Sequence, residues 1–142
     1  MVRVFVLEDD PLWGEVVASD LERSGLEVTV WQCLKGAVDQ IRTGNYDLLV
    51  LDIIVPFDKC SEGHEVRDGG IQVLESLAAY DGKLPPTLFV TIWQLEDFNA
   101  RIVALRSSGS DSIRIGFLSK PYAQTELINA VGQLLQHPKI QT

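Results

Sequence analysis

Residues 46–56, YDLLVLDIIVP, constrain this chain more than any other stretch. Leu48, Leu49, Val50 and Leu51 are consecutive aliphatics, too few for the core face of a helix and too uniformly apolar for a strand with one wet face. Such a run is expected in a strand buried on both sides, the situation of strands in a parallel sheet covered by helices. The run stops at Asp52. Open α/β sheets bind their ligands outside the carboxyl ends of the strands, so a carboxylate at that point is expected at the mouth of a crevice.

The rest of the chain supplies matching units. A second apolar run, residues 2–7 (VRVFVL), leads directly into Glu8-Asp9-Asp10-Pro11. Asp10 and Pro11 have the form of an N-cap and a first helical residue, opening a helix with an apolar stripe of Leu12, Val16, Val17 and Leu21 and a stop at Gly25. Residues 27–31 then read as a strand, 34–42 as a short helix with Ala37, Val38 and Ile41 inward, and Gly44-Asn45 as a turn. After the central strand, residues 70–80 read as a helix carrying Ile71, Val73, Leu74 and Leu77, broken by Asp81-Gly82 and Pro85-Pro86. Residues 87–91 form a fourth strand, 96–107 a helix with Phe98, Ile102, Val103 and Leu105, and 115–118 a short fifth strand. Lys120-Pro121 is a turn and 125–136 the last helix. Five β-α units in strict alternation predict a single α/β domain over residues 1–142, a five-stranded parallel sheet with helices on both faces and right-handed crossovers.

Composition narrows the function. With 142 residues, 46% of them hydrophobic and 23% charged, the chain can bury one sizeable core. A net charge of −8 with scattered Lys and Arg argues against an extended nucleic-acid surface and favours basic or metal partners. Cys33 and Cys60 stand in unrelated contexts, forming neither a disulfide framework nor a CxxC motif, so a reduced cytoplasmic compartment is expected. The start, MVRVFVLEDD, turns acidic after one short apolar run and lacks a signal-peptide profile. No stretch approaches the roughly 18 apolar residues of a membrane span.

Several of the predicted strands end in polar residues. Glu8 and Asp9 follow the first, Asp52 closes the third, Thr91 closes the fourth and Lys120 lies just past the fifth. In a parallel sheet these ends converge, which brings three carboxylates, a hydroxyl and an ammonium into one crevice. Three adjacent carboxylates raise one another's pKa unless a cation is present, and Mg²⁺, with its preference for hard oxygen ligands and phosphate, would relieve the crowding. A carboxylate beside it can act as nucleophile toward a phosphoryl group, while Thr91 and Lys120 meet the charge on the phosphoryl oxygens. GxxxxGK[ST], GxGxxG and a Ser-His-Asp arrangement are all missing, so nucleotide hydrolysis and dinucleotide redox chemistry have no support.

On these residues the chain resembles the receiver domain of bacterial two-component response regulators. VFVLEDDP, LLVLDIIVP, DGGIQVLESL, TLFVT and FLSKPY fall in the family's order over nearly the whole length. The resemblance implies a sheet order of 2-1-3-4-5. It implies Asp52 as phosphoacceptor, with Mg²⁺ (or Mn²⁺) held by Glu8, Asp9, Asp52 and the backbone carbonyl of Ile54. Thr91 and Lys120 would be the switch hydroxyl and the phosphate-binding lysine, and Phe117 matches the aromatic rotamer switch, although an aromatic in a short strand is also an ordinary core residue. The implied donor is a histidine kinase or phosphotransfer protein, and the implied output is binding to a downstream protein or phosphorelay by a stand-alone monomer or weak homodimer.

The chain departs from the family pattern in four places. The Asp-Gly pair that receivers place soon after the proline appears here as Asp68-Gly69, twelve residues after Pro56. Residues 57–67 (FDKCSEGHEVR) are therefore expected to form a long solvated loop, an insertion of about nine residues. Cys60 and His64 within it are two candidate zinc ligands, short of a structural site. A second expansion, residues 106–114, precedes the fifth strand. Beside the acceptor, Ile92 and Trp93 follow Thr91 where the family usually has a small residue, and Ile54 brings no polar group to orient an attacking water. These residues predict narrowed access and a long-lived phosphoryl group. Two other functions compete. One is a phosphorylation-independent interaction module of the same fold. The other is an Asp-nucleophile phosphatase of the haloacid dehalogenase kind, which Glu8-Asp9-Asp10 does not match because that group uses a DxD pair.

Overall fold

A computed structural model describes residues 1–59, 64–81, 84–92, 95–107 and 113–136. The sheet strands are β1 (Arg3–Leu7), β2 (Glu27–Trp31), β3 (Leu48–Asp52), β6 (Thr87–Thr91) and β7 (Ile115–Ser119), and a short ribbon supplies β4 (Val55–Pro56) and β5 (Glu65–Val66). The helices are α1 (Pro11–Arg23), α2 (Ala37–Gly44), α3 (Gly69–Asp81), α4 (Asn99–Ser107), preceded by a 3₁₀ turn at Leu95–Phe98, and α5 (Gln124–Leu135). Among the described residues the sheet has five strands, all parallel, in the order β2-β1-β3-β6-β7. Counting sheet strands alone, this is the expected 2-1-3-4-5.

Alternation along each strand divides the core into two layers. Phe5, Leu7, Leu49, Leu51 and Phe89 face α2, α3 and α4, where Ile41, Leu74 and Ile102 meet them. Val4, Val6, Leu48, Val50, Leu88 and Val90 face α1 and α5, against Val17, Leu21, Leu127 and Val131. All five positions of β3 are buried, and all five of β6. The uniform aliphatic run of β3 thus reflects its place at the centre of the sheet, covered on both faces.

Asp10 caps α1 as expected, its side chain accepting from the N–H groups of Leu12 and Trp13, and Pro11 is the first helical residue. The helical stripe is narrower than the apolar spacing predicts. Val17 and Leu21 are buried, but Leu12 is 75% and Val16 48% exposed, because the face that meets the sheet runs through Gly14, Val17 and Leu21. Gly14 allows that approach, since a Cβ there would lie 3.2 Å from Val30. Val103, one of the apolar residues on α4, is likewise exposed. The second helix starts at Ala37 rather than at residue 34, because Gly36 takes a φ of +80° that interrupts any earlier helical turn.

The stretch expected as a loop, residues 57–67, is partly built into structure. Glu65 and Val66 pair antiparallel with Pro56 and Val55. Cys60 lies outside the described residues, as do Trp93 and the middle of the 106–114 expansion, and His64 is exposed. The ribbon is tied down at its root. Leu34 N donates to Pro56 O at 3.0 Å and Lys35 N to Phe57 O at 2.7 Å. Beyond it, Arg101 on α4 donates to both carboxylate oxygens of Glu75 (3.0 and 2.6 Å) and to Asp68 (2.7 Å), joining α4 to α3 and to the ribbon's exit.

The start of α3 packs directly on the backbone of the central strand. Gly70 N donates to Ile53 O at 3.0 Å, and a Cβ on Gly70 would fall 2.4 Å from the carbonyl oxygen of Asp52. Backbone cannot yield as a flexible side chain can. Gly70→Ala is expected to cost about 2 kcal/mol of stability in urea unfolding, whereas Gly132→Ala, which has open space around it, should not destabilise.

Candidate functional site

Three loops converge at the carboxyl edge of the sheet because the ladder hydrogen bonds run past the strand ends. Glu8 N donates to Trp31 O at 2.9 Å, Ile53 N to Val90 O at 3.1 Å, and Lys120 N to Thr91 O at 2.9 Å. Each bond fixes the first loop residue after its strand. Glu8, Asp52, Thr91 and Lys120, separated by up to 112 positions in sequence, are thereby carried on one rigid edge.

The Lys120 ammonium lies between two carboxylates, 2.7 Å from Glu8 Oε1 and 2.9 Å from Asp52 Oδ2. Glu8 and Asp52 are buried and Asp9 is half-buried. One ligand oxygen from each of Glu8, Asp9 and Asp52 can be chosen so that all lie within 4.8 Å of one another. Glu8 Oε2 is buried without a hydrogen-bond partner. Thr91 is buried at the end of β6, and a cis peptide joins Lys120 to Pro121. An open cavity of about 560 Å³ is lined by Glu8, Asp9, Asp52 and Lys120, with Ile54, Ile92, Trp13 and Glu65 on its walls.

Burial dominates the electrostatics. It pushes the Glu8 and Asp52 carboxyls above their ordinary range, and hydrogen bonds from Lys120 offset this only in part. Burial also raises Asp9, with a further contribution from the Glu8 charge. For Lys120, burial opposes the charged form, but the bonds to Glu8 and Asp52 outweigh it and hold the ammonium above its usual range. Among the described residues lining the cavity, the carboxylates face a single ammonium, Lys120. A cluster of hard oxygen donors with one buried oxygen unpartnered fits a small divalent cation, which would supply what Lys120 alone does not.

Of the expected site residues within the described set, Glu8, Asp9, Asp52, Ile54, Ile92 and Lys120 line the cavity, Thr91 closes β6 at the same edge, and Phe117 is not among the lining residues. Ile54 and Ile92 stand on the cavity wall, Ile92 64% exposed. Phe117 is on the edge strand β7, 36% exposed, its ring 6.0 Å from Phe89 and beneath the Arg106 guanidinium at 5.7 Å. Trp13 and Tyr122 were not legible as neighbours of the site. The Trp13 indole donates to Tyr122 OH at 3.1 Å, and burial pushes that phenol up to about 12. Trp13 lies three residues after the capping Asp10, and one turn of helix placing it beside the acidic loop is the signal that would have found it. For Glu65 no local signal exists, because its position depends on the ribbon.

A doubly wound α/β domain with a lysine-bridged acidic cluster at its switch point is the class this geometry defines. The family model for the response regulator receiver domain matches residues 4–132, and the chain belongs to that family. The probable transcriptional regulatory protein TcrX of Mycobacterium tuberculosis is 26% identical over 141 residues, 99% of this chain and 53% of its own length. The response regulator protein PmrA of Pseudomonas aeruginosa is 31% identical over 126 residues, 89% of this chain and 49% of its own. The chain thus spans about half the length of the curated relatives it matches. Among solved structures, the receiver domain of a Francisella response regulator is 26% identical with a TM-score of 0.68, all of both chains being covered. The chemotaxis protein CheY4 of Vibrio cholerae shares the fold at a TM-score of 0.75 and 18% identity, over 95% of this chain and 99% of its own.

Removing the bridging cation should expose the charge imbalance. Lys120→Ala leaves two buried carboxylates facing each other and is expected to cost about 3 kcal/mol at neutral pH without metal, read from urea midpoints. The sign of the pH dependence follows from the raised carboxyls. A group with a folded pKa above its unfolded value contributes stability below the unfolded value and loses it as pH rises through the folded one. The deficit of Lys120→Ala should therefore shrink on acidification as Glu8 and Asp52 take up protons. A deficit that is flat with pH would contradict the charge account.

Proposed function

We propose that this domain is a phosphorylation-operated switch in which Asp52 accepts a phosphoryl group from the phosphohistidine of a histidine kinase or phosphotransfer protein. The observation that carries the reading is the Lys120 ammonium bridging Glu8 and Asp52 beside a buried, partnerless Glu8 oxygen. It is supported by membership of the receiver family. Glu8, Asp9, Asp52 and the carbonyl of Ile54 would hold Mg²⁺, or Mn²⁺ in its place, which when bound neutralises charge on the phosphoryl oxygens.

Transfer needs little from the protein beyond placement. An Asp52 carboxylate oxygen attacks phosphorus while the P–N bond to the donor imidazole breaks, and the bonding pair stays on the departing nitrogen. Lys120, already within hydrogen-bond distance of Asp52 Oδ2, follows the charge onto the phosphoryl oxygens. Thr91 donates its hydroxyl to the same group. Phosphorylation adds about −1.5 to −2 charges. That pull on Thr91 and Lys120 shifts an existing equilibrium between two arrangements of the loop after β6, with Phe117 following from the edge strand. The downstream partner is a protein, reached by binding or phosphorelay, and the domain acts in the cytoplasm as a monomer or weak homodimer. Relatives named as transcriptional regulators favour an output in gene control, with DNA contact made elsewhere than on this acidic surface.

Titration with Mg²⁺ and beryllofluoride, a stable phosphoryl mimic, tests this through tryptophan fluorescence, since Trp13 lines the cavity. A saturable change abolished by EDTA and by Asp52→Asn is expected. Silence in fluorescence and in NMR of the same samples would favour a phosphorylation-independent interaction module. Ile54 and Ile92 on the cavity wall extend the prediction to lifetime: the phosphorylated domain should persist for minutes or longer with Mg²⁺, and a half-life of seconds would refute their shielding role.

A further inference from the structure

The β4–β5 ribbon brings to the mouth of the Asp52 cavity a carboxylate that the transfer chemistry does not require. In β4 and β5, Val55 stands opposite Val66 and Pro56 opposite Glu65. Directly opposed residues share a face of a ribbon and successive residues alternate between faces. Val55 is fully buried, so Val66 turns with it towards the body of the protein. Pro56 and Glu65 turn the other way, where Glu65 joins Asp52 and Lys120 in lining the cavity. The ribbon's root is held by the bonds from Leu34 and Lys35, and Glu65 itself is exposed.

Charge decides what such a residue does. Among the described residues lining the cavity, Glu8, Asp9, Asp10, Asp52 and Glu65 face one ammonium, Lys120. A free phosphodonor brings its negative charge through that mouth unaccompanied, and a carboxylate at the rim lowers its local concentration. A phosphohistidine on a protein arrives with neighbours, and lysine or arginine beside it turns the same carboxylate into an attractive contact.

We propose, on the reading that Asp52 is the phosphoacceptor, that Glu65 is a specificity-determining residue: it disfavours free anionic phosphodonors and favours a protein donor whose phosphohistidine is flanked by basic side chains. The acceptor set comes from the sheet edge and the rim carboxylate from the ribbon. Chemistry and donor choice are thus carried by separate elements.

The test compares the wild-type domain with Glu65→Gln and Glu65→Lys at saturating Mg²⁺, reading initial rates of Asp52 phosphorylation by intact mass. With phosphoramidate at low ionic strength, the expected gain is about threefold for Gln and about tenfold for Lys, both shrinking towards unity at high salt. With phosphohistidine peptides flanked by lysines or by glutamates, the wild type should prefer the lysine-flanked donor and Glu65→Lys should lose or invert that preference. Equal rates in all three proteins, a slower reaction in the variants, or a gain indifferent to salt would overturn the role of Glu65 while leaving Asp52 as acceptor. No Mg²⁺-dependent modification in any of them, or one that persists in Asp52→Asn, would instead overturn the phosphoacceptor reading and the inference with it.

Discussion

An ammonium held between two buried carboxylates is the interaction on which the rest of this structure depends. Lys120 follows the last strand of the sheet, Glu8 the first and Asp52 the third, yet the three side chains meet within hydrogen-bond distance. The desolvation of such a set is costly and an incomplete set is worse, so the sheet edge must hold all three in place at once. It does so through backbone bonds that continue the ladders beyond the strands. Burial leaves the carboxylates short of positive charge, and that shortage makes the site receptive to a divalent cation.

The fold spends its best packing under this edge. β3 and β6 are buried at every position, and Gly70 at the start of α3 lets its backbone close onto Asp52 and Ile53. The parts around it are more open to water. Ile92 and Phe117 are exposed, and α4 is joined to α3 and to the ribbon's exit by an arginine network that is itself partly open to water. The edge that carries Asp52 is thus fully covered, while the residues around it keep side chains open to water.

Much of this was legible in the sequence because it is written in local pattern. Four aliphatics ending in Asp52, an acidic run ending in a helix cap, and a lysine before a proline identify strand ends without any tertiary knowledge. What misled was also local. Leu12, Val16 and Val103 satisfy helical spacing but face solvent, because the side of a helix that meets the sheet is chosen by close approach, as at Gly14 against Val30, and periodicity alone does not say which side that is. The short ribbon escaped because two-residue strands carry no periodic signal.

The sequence by itself determined the fold class, the number and order of the β-α units, and which polar residues stand at strand ends, since these follow from side-chain periodicity and chain order. Only the tertiary structure decided that Lys120 bridges Glu8 and Asp52, that one Glu8 oxygen is left without a partner, and that Glu65 and Trp13 reach the cavity. Those relations join residues far apart in the chain. They arise from the packing of distant segments against one another, which no single stretch of sequence carries.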